Sequence, residues 1–211
     1  MRGESFLGGA FVLTLAGIIV KALGAFYRIP FTRIVGSEGI GLYQMAYPVY
    51  TTLLALSTTG IPVAVSLLVA ERGACGDRAG ARQVFRLSFA LLFFLGLLLS
   101  LLLFWAAPGI AGGVLGDPRA SYPLMAIAPA VFIFSLVSAF RGYFQGWRLM
   151  WPTAVSEVID QVVRVATVLW AAVSLVGRGV ELAAAGAAFG AVTGGCASLL
   201  VLLILFCRLE G

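Results

Sequence analysis

The sequence contains no histidine, and its three cysteines, Cys75, Cys196 and Cys207, stand far apart. Without histidine there is no imidazole general base, and three isolated cysteines make neither a disulfide framework nor a zinc site. They read as small hydrophobes. Charge is scarce as well. Asp, Glu, Lys and Arg together make up 11% of the 211 residues, against about a quarter in an ordinary soluble domain. No Gly-x-Ser-x-Gly elbow, no P-loop and no cluster of metal ligands occurs. The net charge of +5 is spread through short connections instead of being gathered into a basic patch, so nucleic acid is not an expected partner. Neither a cofactor nor a catalytic residue is expected.

What the chain does have is apolar length. Hydrophobic residues make up 61% of it, more than a soluble core of this size could hide, whereas a bilayer can cover them. Punctuation by Gly, Pro and Arg divides the runs into six expected spans at about 6–35, 39–70, 83–107, 121–146, 152–176 and 181–207. Each exceeds the roughly 20 residues needed to cross ~30 Å of hydrocarbon. The runs are continuous and do not alternate, which argues against a β-barrel. The first run is too long for a signal-peptide core and is read as a span. The expected fold is therefore all-α: a polytopic six-helix transmembrane bundle forming a single lobe over 1–211. Short loops imply that sequence neighbours pack antiparallel.

Lys and Arg set the orientation. One set of span ends carries Arg2, Arg72, Arg78, Arg82, Arg86, Arg141, Arg148 and Arg208, and the other carries Arg33, Arg119 and Arg178. This asymmetry places both termini in the cytoplasm and the chain in the cytoplasmic membrane. Arg78, Arg82 and Arg86 share one helix face. That face reads either as side chains reaching anionic headgroups of membrane lipids or as a lure for anionic lipid substrates. Pro48 and the Gly60-Ile61-Pro62 turn break the second span, with Thr58 and Thr59 placed to satisfy freed carbonyls. Gly186, Gly190 and Gly194, at intervals of four, form a ridge for close helix packing.

Charges inside the apolar runs are the informative residues, because a charge at mid-bilayer costs at least ~2.5–3.5 kcal/mol and is usually turned toward protein or water. In the fifth span Thr153, Glu157, Asp160, Gln161 and Arg164 fall within about 100° of one helix face. Val155, Val158, Val162, Val165 and Leu169 lie opposite. Asp160 and Arg164, four apart, can pair. The first span repeats the pattern with Thr14, Lys21 and Arg28 at intervals of seven, flanked by Gly17 and Gly24. The second adds Gln44, Thr51 and Thr58 at the same interval, near Tyr43, Tyr47 and Tyr50. The candidate cavity residues are thus Lys21, Arg28, Gln44, Thr51, Glu157, Asp160, Gln161 and Arg164. If all ionise, one positive charge is in surplus, which suits an anionic passenger such as a phosphate headgroup. The competing reading is a closed set of ion pairs that only locks the bundle.

Three stretches carry a resemblance: FYRIPFTRIVGSEGIGLYQMAYPVY at 26–50, STTGIPVAVSLLVAERGA at 57–74 and FRGYFQGWRLMWPTAVSEVIDQVVRV at 140–165. With them the chain resembles the stage V sporulation protein B group, the polysaccharide-biosynthesis branch of the multidrug/oligosaccharidyl-lipid/polysaccharide flippase superfamily, and more distantly the bacterial lipid II flippase. The resemblance implies two six-helix lobes around a central cavity, rocking between inward- and outward-open states to move lipid-linked sugars for the cell envelope or spore cortex. It implies that Lys21 and Arg28 match cavity-lining basic residues of the first helix, although their spacing differs from that of the lipid II flippase. It also implies an anionic lipid-linked sugar as substrate, and a coupling cation, Na⁺ or H⁺, remains open. Since such proteins have two lobes, this chain is expected to correspond to the N-terminal one. The second would come from a C-terminal half or a partner chain. The turn Arg141–Gly146 is expected to stop a helix, with its aromatics anchored at the membrane interface. Two other readings stay open: a structural or assembly subunit (an inactive half-transporter included), and a lipid-acting membrane enzyme using Glu157 and Asp160 as acid and base.

Overall fold

A computed structural model describes residues 6–210; Arg2, one of the orientation charges, lies outside them. Seven α-helices follow in order: α1 Phe6–Phe26, α2 Arg28–Thr58, α3 Ile61–Ala74, α4 Arg78–Gly113, α5 Ser121–Gly146, α6 Trp151–Leu175 and α7 Val180–Glu210. They make six candidate membrane spans, with α2 and α3 together forming one of 47 residues.

Local chemistry explains the breaks. Tyr27 keeps right-handed helical angles (φ −70°, ψ −22°), and the amide of Phe31 bonds its carbonyl at 3.1 Å. Pro30 has no amide hydrogen to give to the carbonyl of Phe26, so the first helical run bends near Tyr27 and carries on. It is interrupted at Gly36, whose φ of 73° favours a residue without a side chain. The first expected span, 6–35, is thus divided between α1 and the opening turns of α2. Gly60, at φ 80°, separates α2 from α3, and Pro62 sits in the first turn of α3, where no helical amide is needed. The hydroxyls of Thr58 and Thr59 turn back on the carbonyls of Leu54 and Ala55 at 2.8 and 2.5 Å. Asp77 caps α4, its carboxylate accepting from the amide of Gly80 at 2.8 Å.

The central helix is α5, which packs against α4, α7, α3 and α2. Its buried residues include Leu124, Ile127, Val131, Tyr143 and Phe144, and small Ala128, Ala130 and Ala139 let several neighbours approach at once. Large apolar side chains cover the outside of the bundle, Trp105 of α4 being 80% exposed, as a lipid-facing surface requires. Antiparallel packing of sequence neighbours holds for α3 with α4, α4 with α5 and α6 with α7. It fails elsewhere: α1 packs on α6 and scarcely meets α2, and α5 scarcely meets α6. Small residues, not loop length, choose the partners.

The glycine ridge of α7 lies against α6. A methyl group added at Gly186 would stand 2.8 Å from Ala171 Cβ, at Gly190 2.7 Å from Val168 Cγ2, and at Gly194 2.2 Å from Asp160 Oδ1 and 2.7 Å from the Asp160 carbonyl. Gly194→Ala is therefore expected to destabilise the bundle by ~1–3 kcal/mol, the usual effect of overpacking. Gly17→Ala, with nothing within 4 Å of the added atom, is expected to be neutral or mildly stabilising. Unfolding in graded dodecyl sulfate measures both, and equal stability of the two variants would show that the ridge is slack.

At the end of the bundle away from the Arg72–Arg86 connector, Arg119 bonds Asp117 at 3.0 Å and Glu38, and lies 3.8 Å from Glu181. One guanidinium thereby joins α2, the turn before α5 and the start of α7. Hydrogen bonds from the Arg119 side chain, and then from its backbone amide, hold the Asp117 carboxyl below its usual range. A carboxyl lowered in the folded state keeps its share of the contact from neutral pH down through the ordinary carboxylate range, and loses it only as pH falls through the lowered value.

Candidate functional site

Three elements build the site. Lys21, Gly24 and Arg28 recur at intervals of three and four along one side of α1 and the first residue of α2. Gly24 faces α6: a methyl group there would sit 3.4 Å from the Gln161 amide nitrogen, an ordinary contact. Gln44 and Pro48 stand one turn apart on α2. Because proline lacks an amide hydrogen, the carbonyl of Gln44 loses its helical partner at this point. Gln161 and Arg164 come from the polar face of α6.

Together these residues line a cavity of about 750 Å³ that also takes in Tyr27, Tyr43 and Tyr47. A second hollow of about 330 Å³ adjoins it and shares Tyr27, Arg28, Tyr43 and Gln44. The tyrosines are in ring contact: Tyr43 lies 6.1 Å from Tyr47, and Phe31 joins Tyr27 to Tyr43 with centroid distances of 6.5 and 5.6 Å. The wall is thus aromatic and cationic at once. On the opposite side of α6, Val155 and Val162 face outward, whereas Leu169 packs against the cluster around Phe31 and Val168.

Five of the eight candidate residues, Lys21, Arg28, Gln44, Gln161 and Arg164, come to this one cavity. The other three do not line it. Thr51 gives its hydroxyl to the carbonyls of Tyr47 and Pro48, one turn behind it, at 3.1 and 3.0 Å. Asp160 is buried behind the wall, where both its oxygens accept from Arg164 Nη2 at 3.0 and 3.1 Å. Glu157 turns away toward α5 and pairs with Arg141 at 3.4 Å. The helical wheel gave Glu157 the right face of α6 but not the neighbour that claims it.

The partner of Glu157 was hidden by its position. Arg141 counts as a connection charge when orientation is read from the sequence, yet it lies inside α5 and also reaches Ser198 of α7 at 3.5 Å. That the expected fourth span already extended to residue 146 was the signal that could have marked it as an interior charge. With Glu157 drawn off, Lys21, Arg28 and Arg164 stand at the cavity with, among the described residues, the Asp160 carboxylate beside them. Lys21 and Arg28 are exposed, and neither has an ion-pair partner among the described residues. Arg164 is held twice over, by Asp160 and by the face of Phe134, whose ring centre lies 5.4 Å from the guanidinium carbon.

The Arg141–Gly146 turn also needs correction. Helix α5 does end at Gly146, but Tyr143 and Phe144 are fully buried, at 0% exposure, and are not interfacial anchors. Gly142 and Gly146 receive α3, since added methyl groups there would stand 2.8 Å from the Pro62 carbonyl and 2.6 Å from Val69 Cβ. The segment is a packing joint between α5 and the broken second span.

Comparison with known proteins agrees with this architecture. A model of the family described as "Polysaccharide biosynthesis protein" matches residues 6–210. Stage V sporulation protein B of Bacillus subtilis is 40% identical over 206 residues, which are 98% of this chain and 40% of that protein. Lipid II flippase MurJ of the same organism is 33% identical over 219 residues, 99% of this chain and 40% of its own length. Among solved structures, a MOP superfamily transporter from Pyrococcus furiosus superposes with a TM-score of 0.74 at 17% identity, covering 95% of this chain and 45% of that one. An outward-facing MATE family multidrug resistance transporter of the same superfamily gives 0.74 at 18% identity, covering 96% and 45%. The chain therefore spans about 40% of the length of the sequence relatives it matches. A multi-pass membrane protein with six candidate spans, the chain belongs to the polysaccharide biosynthesis protein family.

Proposed function

We propose that this chain is one transmembrane lobe of a flippase that carries an anionic lipid-linked oligosaccharide or polysaccharide precursor across the cytoplasmic membrane. Both termini face the cytoplasm. A second six-helix lobe faces α1, α2 and α6, and rocking between the lobes gives alternating access. One observation carries the reading: Lys21, Arg28 and Arg164 meet at a single cavity whose nearest carboxylate is already engaged. Two cations with no ion-pair partner among the described residues, in a wall of apolar and aromatic groups, are poorly placed for a cationic drug and well placed for a diphosphate. The adjoining tyrosines give sugar rings a flat apolar surface with hydroxyls at its edge. Chain length relative to the sequence relatives supports a second lobe, and a relative bearing the name lipid II flippase supports a lipid-linked passenger.

The carboxylates favour this reading over a lipid-acting enzyme. Glu157 and Asp160 bond different arginines, Arg141 and Arg164, and neither lines the cavity, so they do not work as an acid–base pair on a substrate there. The same pairings make them tuning charges for Arg164 and for the α5–α6 contact, not open ligands for a coupling cation.

The reading is tested by ligand binding to the purified chain in lipid nanodiscs. A polyprenyl diphosphate sugar is expected to bind at least about tenfold more tightly than the matching polyprenol, because two charge-assisted contacts are lost with the diphosphate. A lipophilic cation is expected not to compete. Equal affinity for the charged and uncharged lipids would overturn the proposal.

A further inference from the structure

The two adjoining hollows differ in make-up and lie in a fixed order along the lobe. Lys21, Gly24 and Arg164 line the larger, and Phe31, Thr32 and Ile40 line the smaller, while Tyr27, Arg28, Tyr43 and Gln44 line both. The order follows from the path of the chain. Phe31 and Tyr43 have ring centres 5.6 Å apart, whereas a straight helix would hold residues at that spacing roughly 18 Å apart. The chain therefore folds back at Gly36, where the helical angles break. Glu38, just past this bend, bonds Arg119. Away from that end, Thr32, Arg28 and Lys21 follow one another along one arm, and Ile40, Gln44 and Pro48 along the other. The smaller hollow thus lies on the Arg119 side of the cavity, with Arg28 at the boundary.

The smaller hollow has the chemistry of a sugar site. Its floor is aromatic and apolar, with Phe31 buried and Tyr27, Ile40 and Tyr43 half-buried. Its rim is polar, with Thr32 and Gln44 exposed. Thr32 gives its hydroxyl hydrogen to the Arg28 carbonyl at 2.6 Å, which leaves the oxygen able to accept from a ligand hydroxyl. The Gln44 amide can both donate and accept. A sugar ring presents the complement, an apolar face of C–H groups edged by hydroxyls. The volume of about 330 Å³ lies at the lower end of the ~300–1,000 Å³ range of small-molecule sites. It suits a single ring better than an extended glycan.

Taking the lipid diphosphate sugar proposed above as the passenger, we propose that the smaller hollow is the subsite for its first sugar, the one joined to the diphosphate. The ring packs on Tyr27 and Tyr43, and its hydroxyls bond Thr32 and Gln44. Arg28 spans the junction, and the diphosphate lies between Arg28, Lys21 and Arg164. The passenger is thereby held with its sugar toward the Arg119 end and its phosphates toward the middle of the lobe. Thr32 selects for the glycan and leaves recognition of the carrier to the cations.

Binding of polyprenyl diphosphate glucose and of sugar-free polyprenyl diphosphate to the full chain in lipid nanodiscs tests the subsite. The wild type is expected to prefer the glucosyl lipid about tenfold, from one packed ring and its hydroxyl bonds. Thr32→Trp, which fills the hollow with an indole, is expected to abolish that preference and to hold the sugar-free lipid within about twofold of wild type. Thr32→Val keeps the side-chain shape without the hydroxyl and is expected to reduce the preference about threefold. If circular dichroism shows that Thr32→Trp does not fold, Thr32→Val decides. Equal wild-type affinity for the two lipids overturns the subsite, as does an undiminished preference in Thr32→Val. A folded Thr32→Trp variant that loses both lipids alike also overturns it, since the hollow would then be part of the diphosphate site. Failure of the flippase reading is a different result, in which sugar-free diphosphate lipid and the matching polyprenol bind alike.

Discussion

Lys21→Glu is expected to weaken binding of a polyprenyl diphosphate sugar by about a hundredfold or more while leaving membrane insertion and bundle stability unchanged. Lys21 is exposed, lines the cavity and has no ion-pair partner among the described residues, so the folded lobe loses no contact when it is replaced. Reversal changes an attraction into a repulsion at contact distance. In a partly wet cleft each charge pair is worth a few kcal/mol, and each 1.4 kcal/mol is a factor of ten in affinity. Lys21→Arg, which keeps the charge, is expected to retain binding within about tenfold on the same scale. Arg164→Glu is a poorer test, because it would also strand Asp160 in a buried position. Titration of the labelled lipid into nanodisc-held protein gives the affinities, and circular dichroism with dodecyl sulfate unfolding gives the control. Tight binding by a well-folded Lys21→Glu variant would remove the cavity from the proposed mechanism.

Arg141→Gln is expected to destabilise the bundle by about 2–3 kcal/mol, less than the ~3–5 kcal/mol for breaking a fully buried ion pair because the two side chains keep 20% and 32% of their surface exposed. Glu157 has its carboxylate 3.4 Å from Arg141, and both side chains are largely shielded. Helices α5 and α6 otherwise scarcely meet, so this pair is a main link between the central helix and the helix that bears Gln161 and Arg164. The double variant Arg141→Met/Glu157→Met removes both charges and is expected to recover much of the loss, since a buried pair exchanged for apolar groups is often neutral. The double-mutant cycle in graded dodecyl sulfate isolates the coupling. A single variant within about 0.5 kcal/mol of wild type, the scatter of ordinary surface changes, would show that the pair is incidental.

The parts of this molecule legible in its sequence are those governed by one helix at a time. Apolar run length marks the membrane segments, and the Gly60-Ile61-Pro62 break is local backbone chemistry. The polar face of α6 follows from a 100° rotation per residue. Packing between helices is not legible in the same way. Glu157 and Gln161 share a face on the wheel, but the wheel does not say that α5 covers one and the cavity opens onto the other. Arg141 was obscured because counting positive charges at span ends treats every arginine there as solvated. Tyr143 and Phe144 read as interface aromatics by position, yet Tyr143 packs against Phe85 of α4, and both meet Phe206 of α7. Loop length likewise predicted a contact between α1 and α2, whereas α1 settles on α6.

That last contact has a mechanical meaning. With α6 as nearly its whole support, α1 is hung on the rest of the lobe like a door on one jamb, and Gly24 beside Gln161 forms the seam. Lys21 rides on that leaf and Arg28 stands just beyond it at the start of α2, while Arg164 is fixed to the frame by Asp160 and Phe134. A small swing of α1 would change the distance between the cations without disturbing the core around α5. The grip on a bridging anion would then tighten or loosen with the angle of a single helix.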